Sequence, residues 1–200
     1  RHLINQATKS VKKDKAFVCL KLNNLIESKK ICADFLLNNK NDITSLNILG
    51  LCYIAEDKHE DAIKIFNEVL IYDEKNLSAL NSLGRIYHEK RESKKAEEFF
   101  KKALIIDEAS YHVLNNIAGF YREEGRYNEG INYYLKALKI NPNNSYILNN
   151  LSKSYFDLGE FEMAKKYCLE SLKLNKTDGN MQKILSFIHL RNQEYKKGWQ

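Results

Sequence analysis

Residues 45–70 read SLNILGLCYIAEDKHEDAIKIFNEVL. Leu46, Leu49 and Tyr53 recur at three- and four-residue spacing, which puts them on one face of a helix. After a polar break at residues 56–59, Ala62, Phe66, Val69 and Leu70 repeat that spacing on a second helix. The pattern then returns every 34 residues. Tyr53, Tyr87, Tyr121 and Tyr155 form one column, and Leu46, Leu80, Leu114 and Leu148 another. Leu49, Leu83, Ile117 and Leu151 form a third. A fixed period of this length predicts an all-α solenoid of antiparallel helix pairs. One helix pair cannot bury its apolar face alone, so neighbouring pairs must stack.

Small residues occupy two further columns. Gly50, Gly84, Ala118 and Ser152 lie in the first helix of each pair, and Ala62, Ala96, Gly130 and Ala164 in the second. Side chains this small let paired helices approach to the short end of the usual spacing of about 8–10 Å. Phe66, Phe100, Tyr134 and Cys168 then fill the space beside them. Gly125 and Gly159 fall between the two helices of their pairs, where a left-handed residue stops a helix. Asp57 and Arg91 take that place in two other pairs, which predicts less ideal turns there. Asp73, Asp107, Asn141 and Asn175 precede the next helix and are of turn and capping types.

These columns resemble the tetratricopeptide repeat: a leucine pair, a small residue, an aromatic, then alanine and another aromatic. The resemblance runs in register over residues 43–178 and implies a right-handed superhelical solenoid. It implies full repeats at 43–76, 77–110, 111–144 and 145–178, and a partial fifth at 179–200 with Leu185, Ser186, His189 and Gly198 in the matching places. Residues 1–42 read as a degenerate repeat or an N-terminal cap. Ala16, Cys19, Ser28 and Cys32 fit the columns there, but Lys12 and Lys15 stand where leucines belong.

Composition narrows the function. The net charge is +6, yet residues 1–40 alone carry nine basic and three acidic residues, so the rest of the chain is balanced. The repeats are therefore not a nucleic-acid platform. The basic flank around Lys9, Lys12, Lys13 and Lys15 reads as a solvated helix face, with a docking patch for an acidic partner as the alternative. No apolar run approaches the roughly 18 residues needed to cross a bilayer. Cys19, Cys32, Cys52 and Cys168 form no CxxC pair and read as buried thiols in a reducing, cytoplasmic setting. Neither a phosphate-binding glycine loop nor a metal or nucleophile motif occurs, so no catalytic residue, cofactor or metal is expected.

The resemblance implies that the first helices line a concave groove that holds a protein or peptide ligand. Asn47, Asn81, Asn115 and Asn149 form an unbroken column there, with Asn116 and Asn150 beside two of them. An Asn side chain both accepts and donates, so it matches the two groups of a peptide bond. Groove-lining helices about 10 Å apart span roughly three residues of extended chain. The alternative is that these asparagines bond along neighbouring helices and hold the array together. The column is similar to the asparagine ladder of the O-GlcNAc transferase family, where it is set one residue later. Asn116 and Asn150 match that setting, while Ile48 and Ser82 do not.

Arg85, Arg122 and Lys153 make the groove mildly cationic, which suits an acidic ligand or a terminal carboxylate. The carboxylate clamp of the chaperone-binding members is absent, since Asn47 stands in place of Lys and Leu51 in place of Asn. The sequence stops at Gln200, inside what would be the second helix of the fifth unit, as expected of a piece of a longer chain. Tyr195, Gly198 and Trp199 resemble the junction in bacterial proteins that join such repeats to a glycosyltransferase domain. The expected function is thus a scaffold that binds an extended segment. The alternatives are the substrate-recruiting region of a glycosyltransferase and, more weakly, a self-associating array.

Overall fold

The computed structural model describes residues 2–191, with side chains from residue 11 on. These residues form eleven helices and no strand: α1 (His2–Lys21), α2 (Leu25–Asn38), α3 (Ile43–Ala55), α4 (His59–Tyr72), α5 (Leu77–Glu89), α6 (Ser93–Ile106), α7 (Tyr111–Glu123), α8 (Tyr127–Ile140), α9 (Ser145–Leu158), α10 (Phe161–Leu174) and α11 (Gly179–Arg191). Two compact units result, α1–α6 and α7–α11, with the division after Ile106.

The turns inside the pairs repeat as strictly as the helices. Asn23, Asp57, Arg91, Gly125 and Gly159 stand 34 residues apart, and all have left-handed φ, from 58° to 87°. The next residue's N–H bonds back to the carbonyl of Cys19, Tyr53, Tyr87, Tyr121 or Tyr155, at 2.8–2.9 Å. Such a bond satisfies one of the carbonyls that a helix end otherwise leaves open. Asp57 and Arg91 therefore make the same turn as the glycines. They differ in carrying a Cβ that disfavours the left-handed region.

The turns between pairs divide their work over two columns. Asp73, Asp107 and Asn175 accept from the N–H two residues on, as does Asn39, at 3.0–3.3 Å. Three residues downstream come the helix caps Asp42, Asn76, Ser110 and Asn144. Asp42, Asn76, Asn144 and Asp178 accept from first-turn N–H groups at 3.0–3.2 Å. The sequence pointed to turn residues here without separating the capping column from them.

Packing within a pair follows the small columns. Ala16 faces Ser28, Gly50 Ala62, Gly84 Ala96, Ala118 Gly130 and Ser152 Ala164, and all ten are buried. In two pairs a serine hydroxyl closes the contact by donating across it, Ser28 to the Ala16 carbonyl at 2.8 Å and Ser152 to the Ala164 carbonyl at 2.9 Å. Two of the large residues are fitted to a glycine opposite them. A Cβ on Gly50 would lie 2.6 Å from the Phe66 ring, and one on Gly84 2.7 Å from Phe100. Cys32 and Cys168 stand where the small partner already has a Cβ, at Ala16 and Ser152. Both phenylalanines are fully buried, so truncating either to alanine costs about 3–5 kcal/mol. The tyrosine column adds parallel ring stacks, Tyr87 on Phe99 at 5.4 Å, Tyr121 on Tyr133 and Tyr155 on Tyr167 at 5.5 Å.

Within each unit the two helices of a pair have different neighbours. In the first unit α3 touches both α1 and α5, but α2, α4 and α6 do not touch one another. In the second, α9 touches both α7 and α11, while α8 and α10 stay apart. The odd-numbered helices are thus the inner row and the even-numbered ones splay outward.

Candidate peptide-binding face

In the first unit the inner row carries Asn47, Asn81 and Arg85, all partly exposed. Asn47 stands just past the first turn of α3, and its Oδ1 is shielded from solvent with no hydrogen-bond partner. Arg85 lies 3.9 Å from Glu89, one helical turn on. Leu51 and Ile54, also in inner-row columns, pack against the core around Phe66 and Leu83, which fills that part of the face with apolar surface.

In the second unit Asn115, Asn149 and Asn150 bond to neighbours within the array. Asn149 donates to the Asp178 carboxylate at 2.6 Å, and its Oδ1 accepts from the Ser171 hydroxyl. One amide thereby ties α9 to α10 and to the cap of α11. Asn150 donates to the Asn115 Oδ1 at 3.3 Å, a link between neighbouring inner helices α9 and α7. Asn116 lies beside Asn115 and is partly exposed.

The cations differ in how far they are occupied. Arg122 lies 3.4 Å from Asp157, and its Nε is enclosed without a hydrogen bond. Lys153 is partly exposed and has no ion-pair partner among the described residues. The Asp178 carboxyl titrates below its ordinary value. The Met181 N–H is the main cause, opposed by burial and aided by Asn149, the Asn180 N–H and the charge of Lys153.

In the basic flank, Lys13 pairs with Asp42, Lys15 with Glu27 at 3.3 Å, and Lys29 with Glu56. Lys12 is exposed, and the side chain of Lys9 lies outside the described ones. The four cysteines are free and buried. Burial pushes the Cys32 thiol up to about 12 and that of Cys168 to about 11.

The sequence placed Phe156 in a groove-facing column but did not show that it joins a ring cluster in the second unit. Phe156, Phe161 and Phe187, from α9, α10 and α11, pack their rings together, with Arg191 over Phe161. Phe187 falls in the column of Lys153, one repeat on, and that groove-facing column was the available signal. Gly198 and Trp199, which suggested the glycosyltransferase junction, lie outside the described residues, as does Tyr195.

Helix pairs stacked at a constant 34-residue period define a helical-repeat protein. Family models agree on the kind of repeat: three tetratricopeptide repeat models match residues 46–111, 120–159 and 145–178. The chain belongs to the tetratricopeptide repeat family, whose repeats generally mediate protein–protein interaction.

Solved structures agree. That of Pseudomonas aeruginosa pilF is 27% identical with a TM-score of 0.73, over 78% of this chain and 71% of that one. A thermophilic tetratricopeptide repeat protein of Thermus thermophilus, TTC0263, is 13% identical with a TM-score of 0.77, over 91% and 99%. The APC/C hetero-tetramer Cut9–Hcn1 is 14% identical with a TM-score of 0.81, over 92% of this chain but only 37% of that one. The last two likenesses concern the fold alone. No curated protein matches the chain. Among the described residues no helix is long and apolar enough to cross a membrane.

Proposed function

We propose that this chain is a non-catalytic interaction scaffold, acting in the reducing cytoplasm, whose inner helices hold an extended segment of another protein. The observation that carries this reading is the difference between the helix rows. Inner helices meet their neighbours within each unit, while the outer ones splay apart. Within each unit, only the inner row therefore offers a continuous surface over neighbouring repeats, and polar side chains stand along it. Asn47, Asn81 and Arg85 in the first unit, and Asn116 and Lys153 in the second, stand partly exposed on that row. Asn115, Asn149, Asn150 and Arg122 contribute by holding the row in place through their bonds to neighbours. The basic character of Arg85 and Lys153 favours an acidic segment.

Capture of binding proteins from source-cell lysate tests the reading. The inner-row variant Arg85→Glu/Lys153→Glu is compared with the outer-row variant Lys139→Glu/Lys173→Glu. Partners kept by the outer-row variant and lost by the inner-row one are expected. Loss in the outer-row variant alone would contradict the reading.

A further inference from the structure

We infer that the inner face formed by α9 and α11 takes an extended protein segment in which one large apolar side chain stands between two acidic ones. The inference rests on the inner-face reading above and names the ligand chemistry of its second unit. Lys183, Phe187 and Arg191 follow one another at four-residue spacing, so they form a row up one side of α11.

Phe187 is 51% exposed, and its ring meets Phe156 of α9 edge-on at 5.2 Å. Phe156 in turn meets Phe161 of α10 edge-on at 5.5 Å, and the Arg191 guanidinium lies 4.0 Å from the centre of the Phe161 ring. Rings held by three helices make a rigid apolar platform, with the outer face of Phe187 left open. Such an arrangement loses little conformational entropy on binding.

The rim of the platform is basic. Lys183 stands one turn before Phe187 and Arg191 one turn after it, and Lys153 stands on α9 one turn before Phe156 and Asp157. None of the three cations has a carboxylate within ion-pair distance among the described residues. Of the acids on this side, Asp157 is used by Arg122 and Asp178 by Asn149 and the α11 cap. A segment of opposite charge is therefore the complement.

Spacing selects its pattern. Successive members of the α11 row rise by about 6 Å. Side chains on one face of an extended chain recur at about 6.6–6.8 Å. An acid–x–apolar–x–acid segment laid along α11 puts its acids on Lys183 and Arg191 and its apolar side chain on Phe187. The pattern is symmetric, so either chain direction fits.

The experiment is a titration of the isotope-labelled chain with the capped peptide SESFSES, followed by backbone amide NMR shifts. Saturable shifts in α9 and α11 are expected. SKSFSKS and SESASES should bind at least tenfold more weakly, as should SESFSES to Phe187→Ser or Arg191→Glu chains with unchanged urea melts. Equal binding of SKSFSKS, or binding that neither variant weakens, would overturn the inference. So would the absence of saturable shifts, which is the result if another segment of the chain already covers Phe187. Concentration-dependent shifts at Phe187 without peptide would give the platform to a second copy of the chain and overturn it too. Saturable shifts confined to α3, α5 or α7 would overturn it while leaving the inner-face reading intact.

Discussion

A Cβ on Gly130 would stand 2.8 Å from the carbonyl oxygen of Ala118. The obstacle is backbone, which cannot turn aside as a side chain can. Gly130→Ala should therefore destabilise the chain by about 1–2 kcal/mol, although alanine is the better helix former by about 1 kcal/mol. Gly179→Ala is the control, because nothing lies within 4 Å of its added Cβ. Ala96, the equivalent of Gly130 one repeat earlier, is fully buried, and Ala96→Leu should cost about 1–3 kcal/mol by overpacking. Urea unfolding of the variants checks all three.

The left-handed turns predict a gain. Arg91 has a φ of 62° where two later repeats use glycine. Relief of the left-handed strain is worth about 1–2 kcal/mol, offset by about 0.4–1 kcal/mol of extra freedom in the unfolded chain. Arg91→Gly should stabilise by about 0.5–1 kcal/mol, and Asp57→Gly by less, because Asp tolerates this conformation better. A rise in Tm that is larger for Arg91→Gly checks the order.

Acid should weaken the end of the second unit through Asp178. Its carboxyl titrates below the ordinary 3.8 in the folded chain, chiefly because the Met181 N–H bonds the charged form. A depressed folded value stabilises the fold above the unfolded pKa, and the contribution is lost as pH falls through the folded value. Asp178→Ala should cost about 1 kcal/mol at pH 7 through the lost cap. The difference from wild type should shrink below the ordinary value of 3.8. Amide exchange of α11 at the two pH values measures it.

The thiols predict a chemical silence. Cys32 and Cys168 are fully shielded, and burial holds their thiols protonated far above neutrality. Burial raises the Cys52 thiol as well. Thiolate is the reactive form, so iodoacetamide at about pH 8 should label none of these three in the folded chain and all of them in urea. Labelling at Cys32 before unfolding would contradict the packing of α2 against α3.

The sequence made the period legible because burial enforces it. Phe66 and Phe100 each need a glycine opposite, and such coupled columns leave a repeated mark. The turn at Arg91 was less legible, because its left-handed geometry is imposed by the helices on either side and not by the residue itself. The inner face was legible only as a row of residue types. Whether an asparagine in it is free or engaged depends on a neighbour from another column. Asn149 meets Ser171 and Asp178, whereas for Asn47 the equivalent of Ser171 is Val69, which leaves that Oδ1 without a donor. The Phe156–Phe161–Phe187 cluster was legible only as column positions for Phe156 and Phe187, since the ring contacts join three columns from three helices.

The central claim is that the inner row of helices is the binding surface. Photo-cross-linking tests it most directly, with a benzophenone amino acid placed in the intact chain at Asn81 or Lys153 on the inner row, or at Lys139 or Lys173 on the outer one. The account predicts adducts to partner proteins from the inner positions, with none above background from the outer ones. Adducts that form from the outer positions and not from the inner ones would contradict it.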